Sequence, residues 1–600
     1  MGQAKVKTIV PTSTNNIPKL LDLYPLYKID GYIVPSTDEF NNEYVPVHLK
    51  RLEWLTGFSG SNGLAIVLKH KTALLTDGRY LTQARLEVDK DVDVIDIAEH
   101  SPFHWLAKYS LDDGLTVGYN PGLYTQNRVK KYQKVLEECG VKLVPIYDDL
   151  IDMVWLNKPK LKQSKVIDLD ITLTGRDRTE KVQHLLERIP KQADYLLLTS
   201  PDSICWLLNI RASDVPYTPL LLSYLLISKQ GQLTLYVYQQ HKLLSLAEVK
   251  IDTIDRWWKC YADLLKEGKS IAMDRDTVPA LCYHNPYTHQ IIDLPDPCII
   301  AKSVKNDVEL EGFRTCHIED GIAFCKFLHF LEQSVVSGID EIEASEHLLR
   351  FRKERKYFQG SSYHDISAYG SNGAIVHYNA KPNSRKIIGT DNLYLLDSGA
   401  HYLNGTTDVT RTLCFGQATE EQKYRFTMVL KGHIQLAQAK FPVGTTGLQL
   451  DVLARYHLWQ SYLDYRHGTG HGIGHFLCVH EGPQRITNNI LANVPLQPGM
   501  VVSNEPGFYK DGQYGIRIEN VMIVRYSNQP DAPSSIRFLE FEVITMVPIA
   551  LNLVLFELLT AQEKKWLYSY HQRVYDLIAQ HLDGPERLWL KNQTQGASYQ

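Results

Sequence analysis

No stretch of this chain carries the roughly eighteen uninterrupted apolar residues that a membrane-spanning helix requires. The longest apolar run, VITMVPIALNLVLF at 543–556, is broken by Pro548 and Asn552 and reads as buried strand and turn. Cysteine is scarce: Cys139, Cys205, Cys260, Cys282, Cys298, Cys316, Cys325, Cys414 and Cys478 are scattered, odd in number and without a C-x-x-C pair. That usage argues against a disulfide framework and fits reduced thiols. Neither charge dominates. Lys and Arg number 64 against 68 Asp and Glu, a net charge of −4, so nothing global points to nucleic acid or an anionic membrane. The opening MGQAKVKTIVPTSTNN lacks the apolar core of a secretion signal, and Val6 stands where a myristoylation motif takes Ser or Thr. These absences lead us to expect a cytoplasmic protein with no nucleic acid and no membrane among its partners.

What is present is enough apolar sequence, 44%, for several cores, and a length that suggests about three to four domains. Two segments vary one theme. DGYIVPSTDEF (30–40) gives a β-rich run and a turn, followed by Trp54-Leu55 and two apolar runs; DYLLLTSPDSI (194–204) repeats this with Trp206-Leu207. Short apolar runs between turns and helical patterns indicate α/β units, here an internal duplication with LNKPKLKQSK (156–165) as linker. A third region opens at Asn306 with Glu309 as its capping-box partner, and Thr419 with Gln422 starts another helix the same way. Strand-like strings around these helices predict an α+β domain with a largely antiparallel sheet. The tail ends in a polar, frayed QTQGASYQ.

In that third region Asp397, Asp408, His471, Glu505 and Glu519 follow one another at separations of 11, 63, 34 and 14 residues. Four carboxylates and an imidazole that converge repel one another unless cations sit between them, so a two-metal hydrolytic site is the natural reading. Oxygen-rich ligation with one imidazole favours Mn²⁺, with Co²⁺, Fe²⁺ or Zn²⁺ as alternatives. Asn404-Gly405 predicts a two-residue hairpin turn that pairs Leu403 with Thr406 and sets Asp408 opposite His401. Asp397 is then about 13 Å away on the same face. Ions of a dinuclear site lie only about 3.5–4 Å apart, so a wider turn or a bulge at Gly399 is needed. In RHGTGHGIGHF the glycines exclude a helix, and an extended strand puts His467, His471 and His475 on one face. GIRIEN puts Arg517 and Glu519 on one face of another strand.

These strings resemble the pita-bread metallopeptidase family, and within it the long, cytosolic-type aminopeptidase P (Xaa-Pro aminopeptidase) branch. LLDSGAHYLNGTTDVTRT, HGTGHGIGHFLCVHEGP and SNEPGFY carry the catalytic signatures; WLTGFSGSNG (54–63) and LLTDGRY (74–80) resemble the creatinase-like domain. The resemblance implies two creatinase-like α/β domains (1–158 and 159–303), a pita-bread catalytic domain (304–548) and a helical extension (549–600). It implies two divalent ions, with Asp397 on one, Asp408 and Glu519 bridging, and His471 and Glu505 completing the second. Glu505, His377 and His480 match catalytic positions; His467, Arg517 and Arg79 match substrate-side ones. A homodimer is implied too. His401, Asn404, His475 and Cys478 depart from the pattern, and HYNAKP lacks an expected proline; none removes a ligand.

The implied reaction is release of the first residue from peptides with proline second, by a hydroxide generated between the two ions. A bond before proline is a tertiary amide whose ring restricts ordinary proteases. Glu505 takes the water proton, His480 hydrogen-bonds the oxyanion and His377 relays a proton toward the prolyl nitrogen. Prolidase-like Xaa-Pro dipeptidases and methionine aminopeptidases share the five-ligand plan. A pseudoenzyme acting as a binding module is the alternative outside enzymes.

Overall fold

The computed structural model describes residues 16–98, 104–109, 114–161, 164–241, 244–490, 493–528 and 536–595. The amino-terminal stretch before Asn16, residues 162 and 163 of the expected linker, and the tail beyond Gln595 lie outside them. The start of the expected frayed end, Gln593 to Gln595, closes a helix.

Two six-stranded sheets come first. Strands β1 (Gly31–Pro35), β2 (Leu64–Leu68), β3 (Thr72–Thr76), β4 (Val92–Asp96), β5 (Leu115–Tyr119) and β6 (Val141–Pro145) stand in the order β4-β3-β2-β1-β5-β6. Strands β7 (Tyr195–Leu198), β8 (Ser223–Ser228), β9 (Leu233–Val237), β10 (Val249–Thr253), β11 (Ile271–Met273) and β12 (Ile291–Asp293) stand in the order β10-β9-β8-β7-β11-β12. Position for position the two sheets agree, and so do the directions: β1 pairs antiparallel with β2 and parallel with β5, as β7 does with β8 and β11. The repeated sequence theme is thus a repeated topology. β1, β2 and β8 are buried along their whole length, which is why they read as continuous apolar runs.

The chain divides into two compact units. The first holds 1–162 with 274–288; the second holds the rest, including the second sheet and everything that follows.

Within the second unit, helix α1 (Asp307–Ser334) starts at Asn306, whose side chain accepts from Val308 and Glu309 N–H while Glu309 reaches back. Such a cap stabilises a helix by about 1 kcal/mol. Of Ile318, Ile322, Cys325, Leu328 and Leu331, which recur at helical spacing, all are buried except the half-buried Ile318. Helix α2 (Glu341–Lys353) and helix α3 (Glu420–Ala437) carry the same box, α3 from Thr419 and Gln422. Beyond α2 the described strands pair only antiparallel: β13 (Ile366–Tyr369), β14 (Leu393–Ser398) and β15 (Val409–Cys414) in one sheet, and a larger sheet containing β16 (Gly470–Gly472), β17 (Glu481–Ile486), β18 (Val501–Asn504) and β19 (Asn520–Tyr526). The candidate ligands sit where these two sheets present their strand ends.

Candidate metal centre

Asp397 is on β14 and Asp408 immediately precedes β15. The hairpin between them corrects the expected register. Tyr402 pairs with Gly405 and His401 with Thr406, so the turn is Leu403-Asn404. The same register continues to Asp397 opposite Thr410, which aligns Asp408 with Gly399. The two aspartates are then two residues apart along the ladder, about 7 Å, instead of four. Neither a wider turn nor an extra residue is used. Gly405 lies in the ladder because a Cβ there would meet Cys316 Sγ on α1 at 2.6 Å; the glycine serves helix contact, not the turn. Gly399 is crowded in the same way, 2.3 Å from Ser362 Oγ and Thr407 O.

Behind the hairpin Arg352 of α2 donates to the Ser398 and Gly399 carbonyls, each at 3.2 Å, and pairs with Asp320 of α1 at 2.8 Å. Asp320 in turn accepts from Tyr402 (3.0 Å) and Thr407 (2.9 Å). In front, the Tyr363 hydroxyl lies 2.5 Å from Asp397 Oδ1 and 2.6 Å from Asp408 Oδ1. One hydroxyl proton faces two carboxylates.

His471 is on β16. Its Nδ1–H donates to the Gly472 carbonyl at 3.0 Å, which turns Nε2 toward Asp408 (3.3 Å) and Glu505 (3.6 Å). Glycines flank it because Cβ atoms at Gly470 and Gly472 would lie 2.0 Å from Ser503 O and 2.3 Å from Glu481 O of neighbouring strands. Glu505 leaves the end of β18, its N–H on Thr469 O, and Glu519 precedes β19, its N–H on Thr410 O. Thr410 also donates its hydroxyl to Glu519 at 2.7 Å. Ligand atoms of Asp408, His471 and Glu519 lie within 4.8 Å of one another. Tyr363 and Glu505 tie Asp397 and the open side to that group.

The electrostatics show how strongly the carboxylates are crowded. Burial, with Asp408 and Asp397 nearby, pushes Glu505 up to about 8. Burial and the same neighbours hold Glu519 well above the carboxylate range. Asp397 is raised by burial despite Arg517 at 2.6 Å, and Asp408 is lowered because His471 offsets its burial. Carboxylates crowded in this way favour a cation between them, and the donor set of carboxylates plus one imidazole fits two divalent ions.

Around this centre His467 Nε2 meets the Tyr509 hydroxyl (2.8 Å), which accepts from Arg517 Nη1 (2.6 Å). Arg517 also reaches the Val376 carbonyl (3.4 Å), next to His377. That loop is organised by the buried Glu341 carboxylate, which accepts from Tyr369 and Lys386 N–H, Asn372 Nδ2 and Tyr378 OH. The His480 ring stands perpendicular to His471 at 4.4 Å. His475 departs from the expected shared face: the strand ends at Gly472, and His475 turns into a buried contact with Phe313 at 5.7 Å. Arg79 lies in the other compact unit, bonded to Asp77 at 2.9 and 2.8 Å. Tyr363, Arg352, Asp320, Thr410 and Glu341 escaped the sequence reading. Strand pairing, such as Ile366 opposite Asp397, brings in Tyr363 and Thr410, and helices α1 and α2 bring in Asp320, Glu341 and Arg352.

Comparison with known proteins adds the following. The model of metallopeptidase family M24 matches residues 311–526, its C-terminal region 537–597, and creatinase/prolidase N-terminal domains 17–154 and 157–309. A probable Xaa-Pro aminopeptidase P of Laccaria bicolor is 37% identical over 99% of this chain and 94% of its own length. One from Fusarium vanettenii is 38% identical over 97% and 98%. The crystal structure of X-prolyl aminopeptidase from Caenorhabditis elegans, described as a cytosolic enzyme with a di-nuclear active site, superposes with a TM-score of 0.89 at 33% identity, covering 97% of this chain and 99% of that one.

Proposed function

The chain belongs to the Xaa-Pro aminopeptidase P family of M24 metallopeptidases, and on that premise we propose how its residues remove the first amino acid from peptides with proline second. The observation that carries the reading is the gathering of Asp408, His471 and Glu519 within 4.8 Å, with Asp397 and Glu505 at its margins.

Two divalent ions supply, when bound, an acidified water and a polarised carbonyl. Asp397 would help hold one, His471 and Glu505 the other, and Asp408 and Glu519 would serve both. We assign manganese from the oxygen-rich donors. Glu505 accepts the water proton, since its carboxyl lies 3.6 Å from His471 and burial raises it toward neutral pH. His480 donates to the oxyanion from beside His471. His377 carries a proton toward the prolyl nitrogen, on a loop that Glu341 and Arg517 fix. Arg517 and His467, joined through Tyr509, orient the peptide, and Arg79 is kept as a substrate-side candidate. The four-part division at 158, 303 and 548 stands as part of this proposal.

A cytoplasmic site of action is supported by nine cysteines without a disulfide and by no described helix being long and apolar enough to cross a membrane. A homodimer is supported by Val452, Tyr456 and Trp459, which are exposed at helical spacing on Gly447–Trp459, with Tyr462 beyond them 99% exposed.

The test is hydrolysis of an Arg-Pro-Pro peptide beside an Ala-second control, after chelation and after Mn²⁺ is restored. Free arginine released only from the proline peptide, and only with metal, is expected. Faster turnover of Xaa-Pro dipeptides than tripeptides would point to a prolidase instead. No release with Mn²⁺, Co²⁺ or Zn²⁺ would refute the reading.

A further inference from the structure

The connection that leaves helix Pro201–Leu207 and enters β8 spans residues 208–222. Near its start stands Arg211, fully buried, whose hydrogen bonds all go to carbonyls. Nη1 donates to Cys205 O (3.0 Å) and Ile210 O (2.8 Å) on its own side. Nη2 donates to His475 O at 2.9 Å and Nε to Phe476 O, both on the loop between His471 and His480. The guanidinium also lies over the Phe476 ring, 5.7 Å from its centre.

Phe476 has φ +46°, a left-handed conformation that a phenylalanine adopts only when its surroundings impose it. The two carbonyls that Arg211 holds belong to this residue and the one before it. Burial lowers Arg211 to about 10, so it stays charged at neutral pH and keeps its N–H donors. At the far end of the same loop Glu481 is gripped by Lys305, and by Lys302 at 3.6 Å. His480 lies between these two anchors. Six residues past Arg211, the Tyr217 carbonyl is 2.7 Å from His401 Nε2, and the His401 ring is 5.8 Å from Phe476. Burial lowers His401 to about 4; being neutral, it donates to Tyr217 and leaves Nδ1 for the Thr406 hydroxyl at 3.1 Å. The connection therefore touches both the His loop and the aspartate hairpin.

We propose that Arg211 is a positioning residue for peptide-bond hydrolysis: by holding the His475 and Phe476 carbonyls it places His480 beside His471, so the second α/β sheet completes the active loop. This rests on the role given to His480 above.

The experiment compares Arg211→Met and Arg211→Lys with the full-length, Mn²⁺-loaded enzyme. It reads kcat, KM, bound metal and hydrogen exchange. In R211M, kcat should fall roughly ten- to a hundredfold, the usual cost of a misplaced catalytic group. KM should stay within about twofold, bound metal should be unchanged, and amides of 473–480 should exchange faster while those of 397–411 do not. R211K, which keeps one donor head but not the fork, should fall between. An R211M enzyme with kcat within twofold, or one losing activity only in proportion to metal, would overturn the proposal. Should R211M not fold, R211K decides alone, and wild-type kcat with wild-type exchange would overturn it. If the wild-type enzyme cleaves no proline-second peptide, the functional reading fails, while the exchange arm still decides whether Arg211 fixes the loop.

Discussion

The two six-stranded sheets share strand order and strand direction, yet one belongs to a separate compact unit and the other to the unit that holds the candidate centre. The difference lies in one connection. Five residues after Trp54 the first sheet has Ser59; five after Trp206 the second has Arg211. In the first, residues 57–63 suffice to reach β2, and the segment closes on its own sheet: Ser59 N–H and Oγ both bind Glu87. In the second, residues 208–222 carry Arg211 and Tyr217 out to the His475–Phe476 loop and the aspartate hairpin. A sheet is a conserved frame; its connections decide what it serves. Burial follows the same division. His241, His317, His401, His433, His475 and His571 are all buried in the second unit, whereas His48 and His284 of the first are half-buried and His70 is exposed.

The strongest way to break this comparison is to remove a central carboxylate and a matched one from the first unit. Glu519→Gln should lower kcat/KM by more than the roughly 10–100-fold typical of outer-shell changes and should strip metal. Asp77→Asn, which loosens Arg79, should leave bound metal intact. Elemental analysis and steady-state kinetics on the same preparations decide it. A fully metallated, active E519Q would remove Glu519 from the centre.

Acid should separate the units next. Burial lowers His317 and His401 to about 4, His433 and His571 to about 3, and His475 well below its ordinary range. Folded, these rings are neutral; unfolded, they titrate near 6.5. Unfolding at low pH therefore takes up protons, so stability is present above about 6.5 and is lost as pH falls toward 4. At pH 5 His317, His401, His433 and His571 each cost about 2 kcal/mol. Hydrogen exchange mapped by region at pH 7 and 5, corrected for intrinsic rates, should show the second unit loosening more. Equal loosening of both units would contradict this account.

A smaller effect is expected from Tyr363→Phe. The lost hydroxyl leaves Asp397 and Asp408 without their shared donor, and metal affinity should drop about tenfold while the fold is kept. Competition with a chelator measures it; unchanged affinity would reduce Tyr363 to a packing role.

How much of this was legible in the sequence depends on range. Capping boxes at Asn306 and Thr419 act within four residues, and both helices begin where the sequence places them. The repeated run-turn-Trp-Leu theme folds into two sheets of one topology. The candidate ligands were visible because their local strings are distinctive. Asn404-Gly405 misled because glycine has two uses, and α1 approaching from outside the hairpin claimed it for close contact. His475 misled because strand alternation holds only while a ladder continues, and β16 stops at Gly472. Tyr363, Glu341 and Arg211 have no local signature. Each meets its partners across a sheet pairing or a domain-scale separation.

The finest test turns on the position in the first sheet that corresponds to Arg211. Ser59→Ala removes a hydroxyl that bonds Glu87 at 2.8 Å and accepts from Gln83 at 3.0 Å. The bonds are partly buried and neutral on one side, so a loss of about 1 kcal/mol in the stability of the first unit is expected. The site is in the unit that contains none of Asp397, Asp408, His471, Glu505 and Glu519, so kcat, KM and bound metal should be unchanged. The contrast with R211M then isolates the connection as the cause, because both changes stand five residues beyond equivalent tryptophans on sheets of one topology. A kinetic loss in S59A comparable to that in R211M would mean that both sheets serve the active loops, and the asymmetry drawn between them would fall.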